Sequence, residues 1–124
     1  MDVVHTAIWV SDLDEALTFY CDGIGLRETR RREGEDGVTN CFVGGESETE
    51  LQFKYDRTER DVDPSGIDHV AISVDNIDEI VEKLVDRFDV EVTRGPITID
   101  DLDLRVAFLT DPEGYGVELV EYFE

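Results

Sequence analysis

His5-Thr6-Ala7-Ile8-Trp9-Val10-Ser11-Asp12-Leu13-Asp14-Glu15-Ala16-Leu17 returns later in the chain, without a gap, as His69-Val70-Ala71-Ile72-Ser73-Val74-Asp75-Asn76-Ile77-Asp78-Glu79-Ile80-Val81, and the register holds onward to Thr29 and Thr93. An internal duplication of this kind fixes the fold before any local propensity does, because each copy must form the same supersecondary unit. In both copies a histidine opens a short apolar strand, a polar cap follows, and then apolar residues recur at helical spacing. His5 and His69 are the only histidines of the chain. Their equivalence under the repeat is the first functional hint.

The strand over residues 3–10 alternates, with Val4, Thr6, Ile8 and Val10 on one face and His5, Ala7 and Trp9 on the other. His5 therefore points away from the helix that follows. Asp12 and Glu15 form a capping box for that helix, Leu13, Ala16, Leu17 and Tyr20 form its apolar stripe, and Gly23-Ile24-Gly25 ends it. Strands are expected over 26–32, 38–43 and 48–55, with a hairpin loop at 33–37. The charged segment from Asp56, with Pro64 and Gly66 and no apolar period, reads as a linker. The second copy gives a strand over 69–74, a helix over 76–88 and a strand over 90–94. A loop over 95–101, a strand over 102–110, the turn Asp111-Pro112-Glu113-Gly114 and a strand over 115–122 complete it. The chain is thus expected to be an α+β domain of two tandem βαβββ modules, residues 1–56 and 67–124, joined by a linker at 57–66.

The 124 residues include 32 acidic and 11 basic ones, for a formal charge of -21, and only Lys54 and Lys83 are lysines. Such a surface repels nucleic acid and anionic membranes, which argues against both as partners. The apolar fraction of 40% and the regular patterning exclude disorder as the reason for the acidity. It reads instead as a solvated surface suited to a salty cytoplasm, where a Debye length of about 3 Å at 1 M screens self-repulsion. No secretory signal, lipid anchor or long apolar run is visible, and a cytoplasmic location is expected. Cys21 and Cys41 are too few for a disulfide framework and read as small hydrophobes.

Glu50 and Glu118 are the carboxylates that the duplication offers to the two imidazoles. Each lies in the last strand of its module, in the frame Thr-Glu-Leu or Val-Glu-Leu. A carboxylate in the middle of the mainly apolar strand of Glu118 needs a reason. If the modules close face to face, within one chain or between two, the equivalent positions converge on a pseudo-twofold axis. His5, Glu50, His69 and Glu118 would then form a mixed nitrogen and oxygen site suited to divalent Zn, Ni, Co, Mn or Fe. Trp9 on the His5 face and Ser73 on the His69 face would line a pocket beside it.

The paired His-x-Ala-Ile-x-Val strands, Phe19-Tyr20 before Gly23-Ile24-Gly25-Leu26, the Glu50 strand and Asp111-Pro112-Glu113-Gly114-Tyr115-Gly116-Val117-Glu118-Leu119-Val120-Glu121 together resemble the vicinal oxygen chelate superfamily, with its glyoxalase/bleomycin-resistance-like fold. The likeness covers essentially the whole chain and is nearest to glyoxalase I. It implies curved sheets around a divalent metal, Zn or Ni in different branches, with His5, Glu50, His69 and Glu118 at the four ligand positions. It also implies a homodimer with sites between subunits. The implied reaction isomerises the hemithioacetal of methylglyoxal and a thiol to a 2-hydroxyacyl thioester, with Glu118, or Glu50 as its mirror partner, moving the proton.

The basic and amide side chains that grip glutathione in such enzymes are few here. Trp9 stands where an arginine is common, Lys54 where an asparagine is common, and 98–103 is acidic where a lysine-bearing loop is expected. This puts glutathione itself in question. It leaves open a smaller thiol such as a glutamyl-cysteine or another α-hydroxycarbonyl substrate, with Lys54 and Arg94 or Arg105 as anchors. The resemblance also admits a methylmalonyl-CoA epimerase, a ring-cleaving dioxygenase, or a metal-free module that sequesters antibiotics.

Overall fold

A computed structural model describes residues 1–58 and 60–123 of the chain. They divide into two compact units, Met1–Val62 and Asp63–Glu124. Each unit contains one four-stranded sheet, so the α+β arrangement of two βαβββ repeats is present.

The first unit runs β1 (His5–Trp9), α1 (Leu13–Leu17), β2 (Arg27–Glu33), β3 (Thr39–Gly44) and β4 (Glu50–Tyr55), with sheet order β1-β4-β3-β2. β1 and β4 are parallel and the remaining pairs antiparallel. A crossover through a helix is what a parallel pairing requires, and here it is the helix together with two further strands. Asp12 caps α1 by accepting the Glu15 N–H at 3.0 Å. Beyond Leu17 the helix widens into π-helical turns over Thr18–Ile24, and Gly25, at φ 111°, closes them. The wider turn changes which residues face inward: Phe19 and Tyr20 are both fully buried, whereas Leu17, expected in the stripe, is only half-buried. The Tyr20 ring packs on Phe53 of β4 at 5.1 Å. Ile8, Cys41, Val43, Leu51 and Phe53 complete this core.

The second unit runs β5 (Val70–Ser73), α2 (Ile77–Arg87), β6 (Val92–Ile99), β7 (Leu104–Thr110) and β8 (Gly116–Tyr122), in the equivalent order β5-β8-β7-β6. Ile77, Val81 and Leu84 of α2 are buried with Ala107, Leu109, Val117 and Leu119 of the sheet. Asn76 does not cap α2 with its side chain; the Ile77 N–H instead donates to Glu121 Oε1 at 2.8 Å. The loop expected over 95–101 is a correction. β6 continues through Gly95-Pro96 to Ile99, paired with β7, and its register shifts between Arg94 and Ile97. Pro cannot donate to a ladder, and a bulge is where a strand tolerates it, so a Gly-Pro pair here marks an irregularity inside the strand rather than its end.

The turn before β8 is built by Asp111. Its buried carboxylate accepts the N–H groups of Glu113 and Tyr115, both at 2.9 Å, and Gly114 takes the left-handed backbone at φ 99°. Gly116 then allows a close approach. A Cβ there would stand 2.5 Å from the Asp68 carbonyl oxygen and 3.4 Å from His69 Cβ. Only a glycine lets β8 lie this near the residue that precedes β5.

Candidate metal centre

In the first unit His5 and Glu50 are directly opposite each other on the parallel strands β1 and β4. The Glu50 carboxylate is held at both oxygens. Thr29 Oγ1 donates to Oε2, and the Arg30 guanidinium donates to Oε1 at 3.0 Å. Arg30 itself lies over the Phe42 ring, 3.8 Å from its centroid, and His5 meets the same ring edge-on at 5.4 Å. The hydrogen bond from Thr29, then that from Arg30, holds the Glu50 carboxyl below the usual range, against the opposing effect of desolvation.

Further along the same face, Asn40 Oδ1 accepts from Gln52 Nε2 at 2.8 Å and from Lys54 Nζ at 3.0 Å. Trp9 is opposite Lys54, whose amine is 5.5 Å from the indole centroid. The Arg60 guanidinium stacks on that indole at 3.7 Å and pairs with Asp56 at 2.7 Å. Two cations therefore flank Trp9 in a strongly acidic chain.

In the second unit His69 stands just before β5 and Glu118 lies in β8. His69 Nε2 is 3.3 Å from Glu118 Oε1, and His69 Nδ1 is 2.7 Å from Asp68 Oδ2. The His69 ring meets Phe108 edge-on at 5.8 Å, as His5 meets Phe42. Thr93 Oγ1 donates to the Phe108 carbonyl at 3.2 Å, and Thr29 Oγ1, whose proton goes to Glu50, lies 3.3 Å from that of Phe42. A cavity of about 400 Å³, lined by Pro64, Ser65, Asp68, His69, Thr93 and Phe108 among others, opens beside this imidazole. Ser73 is exposed on the strand face that carries Ala71, the register partner of Glu118.

Arg105, considered as an anchor, belongs to the opposite face. It donates to both carboxylate oxygens of Asp78 in α2, at 3.0 and 2.8 Å, and to Thr98 Oγ1 at 3.0 Å. Alternation along β7 places Arg105 on the helix side because Phe108 is on the histidine side.

The donor set suits a divalent cation. A proton on His69 Nδ1 would be given to Asp68, which leaves the Nε2 lone pair facing a carboxylate oxygen. Two electron-pair donors this close are satisfied by a proton or a cation, and a carboxylate behind a ligating imidazole is the usual support for a metal. Among the described residues no set of three or more His, Cys, Asp and Glu is gathered for an ion, so the donors come as two pairs, one in each unit. Thr29, Arg30, Asp68 and Arg60 escaped sequence reasoning. Thr29 and Arg30 carried a signal, their match to Thr93 and Arg94 under the repeat, whereas Asp68 and Arg60 carried none.

A duplicated βαβββ plan with one imidazole and one carboxylate set side by side in each copy defines a class of small repeat-built domains. Residues 2–119 match the family model of the Glyoxalase/Bleomycin resistance protein/Dioxygenase superfamily, and the chain belongs to that superfamily. A probable lactoylglutathione lyase of Synechocystis is 33% identical over 127 residues, covering 98% of this chain and 95% of that one. Lactoylglutathione lyase GLX1 of Arabidopsis thaliana is 32% identical over 95% of this chain, which spans only 43% of the plant protein. Among solved structures, the trypanothione-dependent glyoxalase I of Leishmania major superposes with a TM-score of 0.81 at 27% identity, over 98% of this chain and 86% of that one.

Proposed function

We propose that the protein is a metal-dependent glyoxalase I-like lyase that isomerises the hemithioacetal of methylglyoxal and a thiol to a 2-hydroxyacyl thioester. The observation that carries this reading is the 3.3 Å approach of His69 Nε2 to Glu118 Oε1, matched in the other repeat by His5 opposite Glu50. Relatives named lactoylglutathione lyase at about one-third identity support the same chemistry.

In this reading His5, Glu50, His69 and Glu118 hold one divalent ion, Zn or Ni by preference, and two copies of the chain pair so that each site takes one repeat from either copy. The ion supplies stabilisation of negative charge on the two neighbouring substrate oxygens. Glu118 takes the proton from the carbon that bears sulfur and hydroxyl and returns it to the adjacent former carbonyl carbon, while the hydroxyl proton passes from the first oxygen to the second, so that no atom is gained or lost. His5 and His69 only bind. Trp9 and Lys54, on the Glu50 face, and Ser73, on the other sheet, line the thiol portion of the substrate.

The test is turnover of methylglyoxal with a panel of thiols, in molar salt, with each divalent ion supplied in turn to chelator-treated protein. Thioester formation that depends on the ion is expected. Its absence with every combination would overturn the reading and direct attention to methylmalonyl-CoA or to simple ligand binding.

A further inference from the structure

The two repeats keep the same imidazole, the same carboxylate and the same phenylalanine beneath the imidazole, yet they treat their carboxylates differently. Thr29-Arg30 and Thr93-Arg94 are equivalent dipeptides, and Arg30 and Arg94 are cross-strand partners of Phe42 and Phe108 respectively. In the first repeat both members of the dipeptide bind Glu50, one on each oxygen. In the second, Thr93 keeps only its bond to the Phe108 carbonyl, and no hydrogen bond or ion pair joins Arg94 to Glu118 among the described residues. Glu118 has the imidazole of His69 as its neighbour instead.

We infer that Thr29 and Arg30 are positioning residues that fix the Glu50 carboxylate in place to hold a divalent ion. The inference rests on the metal-dependent reading above and adds to it the two residues that hold one of its carboxylates. Each Glu50 oxygen has two acceptor sites and gives one to Thr29 or Arg30, so one site on each oxygen remains for an ion. The side-chain torsions of Glu50 are already restricted, and the ordering cost of binding falls accordingly. Arg30 is itself restrained, since its guanidinium rests on Phe42 at 3.8 Å.

The experiment measures affinity for Zn and Ni by competition with a chromophoric chelator on the full chain, in molar salt. It compares the parent with Arg30→Gln, Thr29→Val and the internal control Arg94→Gln, with thermal midpoints recorded for each. Arg30 is 56% exposed and valine matches threonine in shape, so folded protein is expected throughout. Arg30→Gln and Thr29→Val should weaken binding by about 10- to 100-fold, the range found when groups behind metal ligands are removed. Arg94→Gln should bind as the parent does, and Arg30→Lys should fall between. Unchanged affinity in both first-repeat variants, or an equal loss in Arg94→Gln, would overturn the inference while leaving the metal reading intact. Failure of the parent itself to bind any divalent ion would remove the metal reading first, and the inference with it.

Discussion

His69 Nε2 stands 3.3 Å from Glu118 Oε1, although the register of β5 and β8 places His69 nearer to Gly116 than to Glu118. The imidazole therefore leans along the strand to reach the carboxylate. Glu118→Gln keeps shape and one acceptor while removing charge and basicity. It is expected to lower turnover of the hemithioacetal roughly 100- to 10,000-fold, the range for loss of a positioned general base, with little change in thermal midpoint. Stopped assays beside a melting curve check this, and a variant that retains more than a tenth of parent activity would refute the assignment.

That leaning depends on Gly116. A methyl group there would meet the Asp68 carbonyl oxygen at 2.5 Å, so β8 and the segment leading into β5 must separate. Gly116→Ala is expected to cost about 1–3 kcal/mol, as overpacking of a tight contact does. It should also weaken metal binding, because His69 and Glu118 would no longer face each other. Denaturant melts and chelator competition on one preparation would show both effects, and a variant with parent metal affinity would mean that the approach is not required.

The repeat made the architecture and both His–Glu pairs legible in the sequence, although the copies differ by two residues in register: His5 is opposite Glu50, whereas Glu118 is opposite Ala71. What was hidden falls into two kinds. Strand β6 was cut short because Gly95-Pro96 carries the signal of a loop, and only pairing with β7 reveals it as a bulge. The support around the pairs was hidden for a different reason. Arg30 reaches Glu50 across the sheet from β2, and Arg105 turns instead toward Asp78 in α2. In a chain with so many charges, which cation meets which carboxylate is settled by strand register, not by spacing along the sequence.

Both cysteines should be unreactive in the folded protein. Burial raises the Cys41 thiol to about 11, with the nearby Glu28 charge adding to the effect, and burial likewise raises Cys21, helped by Asp22 and Glu28. Since the thiolate is the nucleophile, very little is present near neutral pH. Neither thiol should react with an aromatic disulfide reagent at about pH 7.5 until denaturant is added, when both should titrate together. Rapid labelling of Cys41 in native protein would contradict its place in the core.

The Asp78–Arg105 pair ties α2 to β7 and gives a pH dependence of known sign. The hydrogen bonds from Arg105 lower the Asp78 carboxyl from its ordinary value of 3.8. Stability from this pair is therefore fully present above about pH 4 and is lost as pH falls through the depressed folded-state value. Arg105→Gln should melt slightly below the parent at neutral pH, and the two curves should merge at strongly acid pH. The difference should be small, as for other surface pairs. A gap that widens on acidification would show that Arg105 acts through packing against the sheet.

Net charge sets the condition under which all these measurements should be made. With a formal charge of -21 on 124 residues, self-repulsion opposes the compact state in dilute buffer, and salt relieves it. Its thermal midpoint is expected to rise steadily between about 0.1 and 2 M KCl, as the Debye length contracts from roughly 10 Å to below 3 Å. Screening of about 2 kcal/mol would appear as a shift on the order of 10 °C for a domain of this size. Sodium sulfate also strengthens burial of apolar surface, so KCl is the cleaner probe of charge. Replacing exposed Asp14 and Glu79 by glutamine should raise the midpoint at low salt and leave it unchanged at high salt. A midpoint that does not respond to KCl would mean that the acidic surface is tolerated without screening.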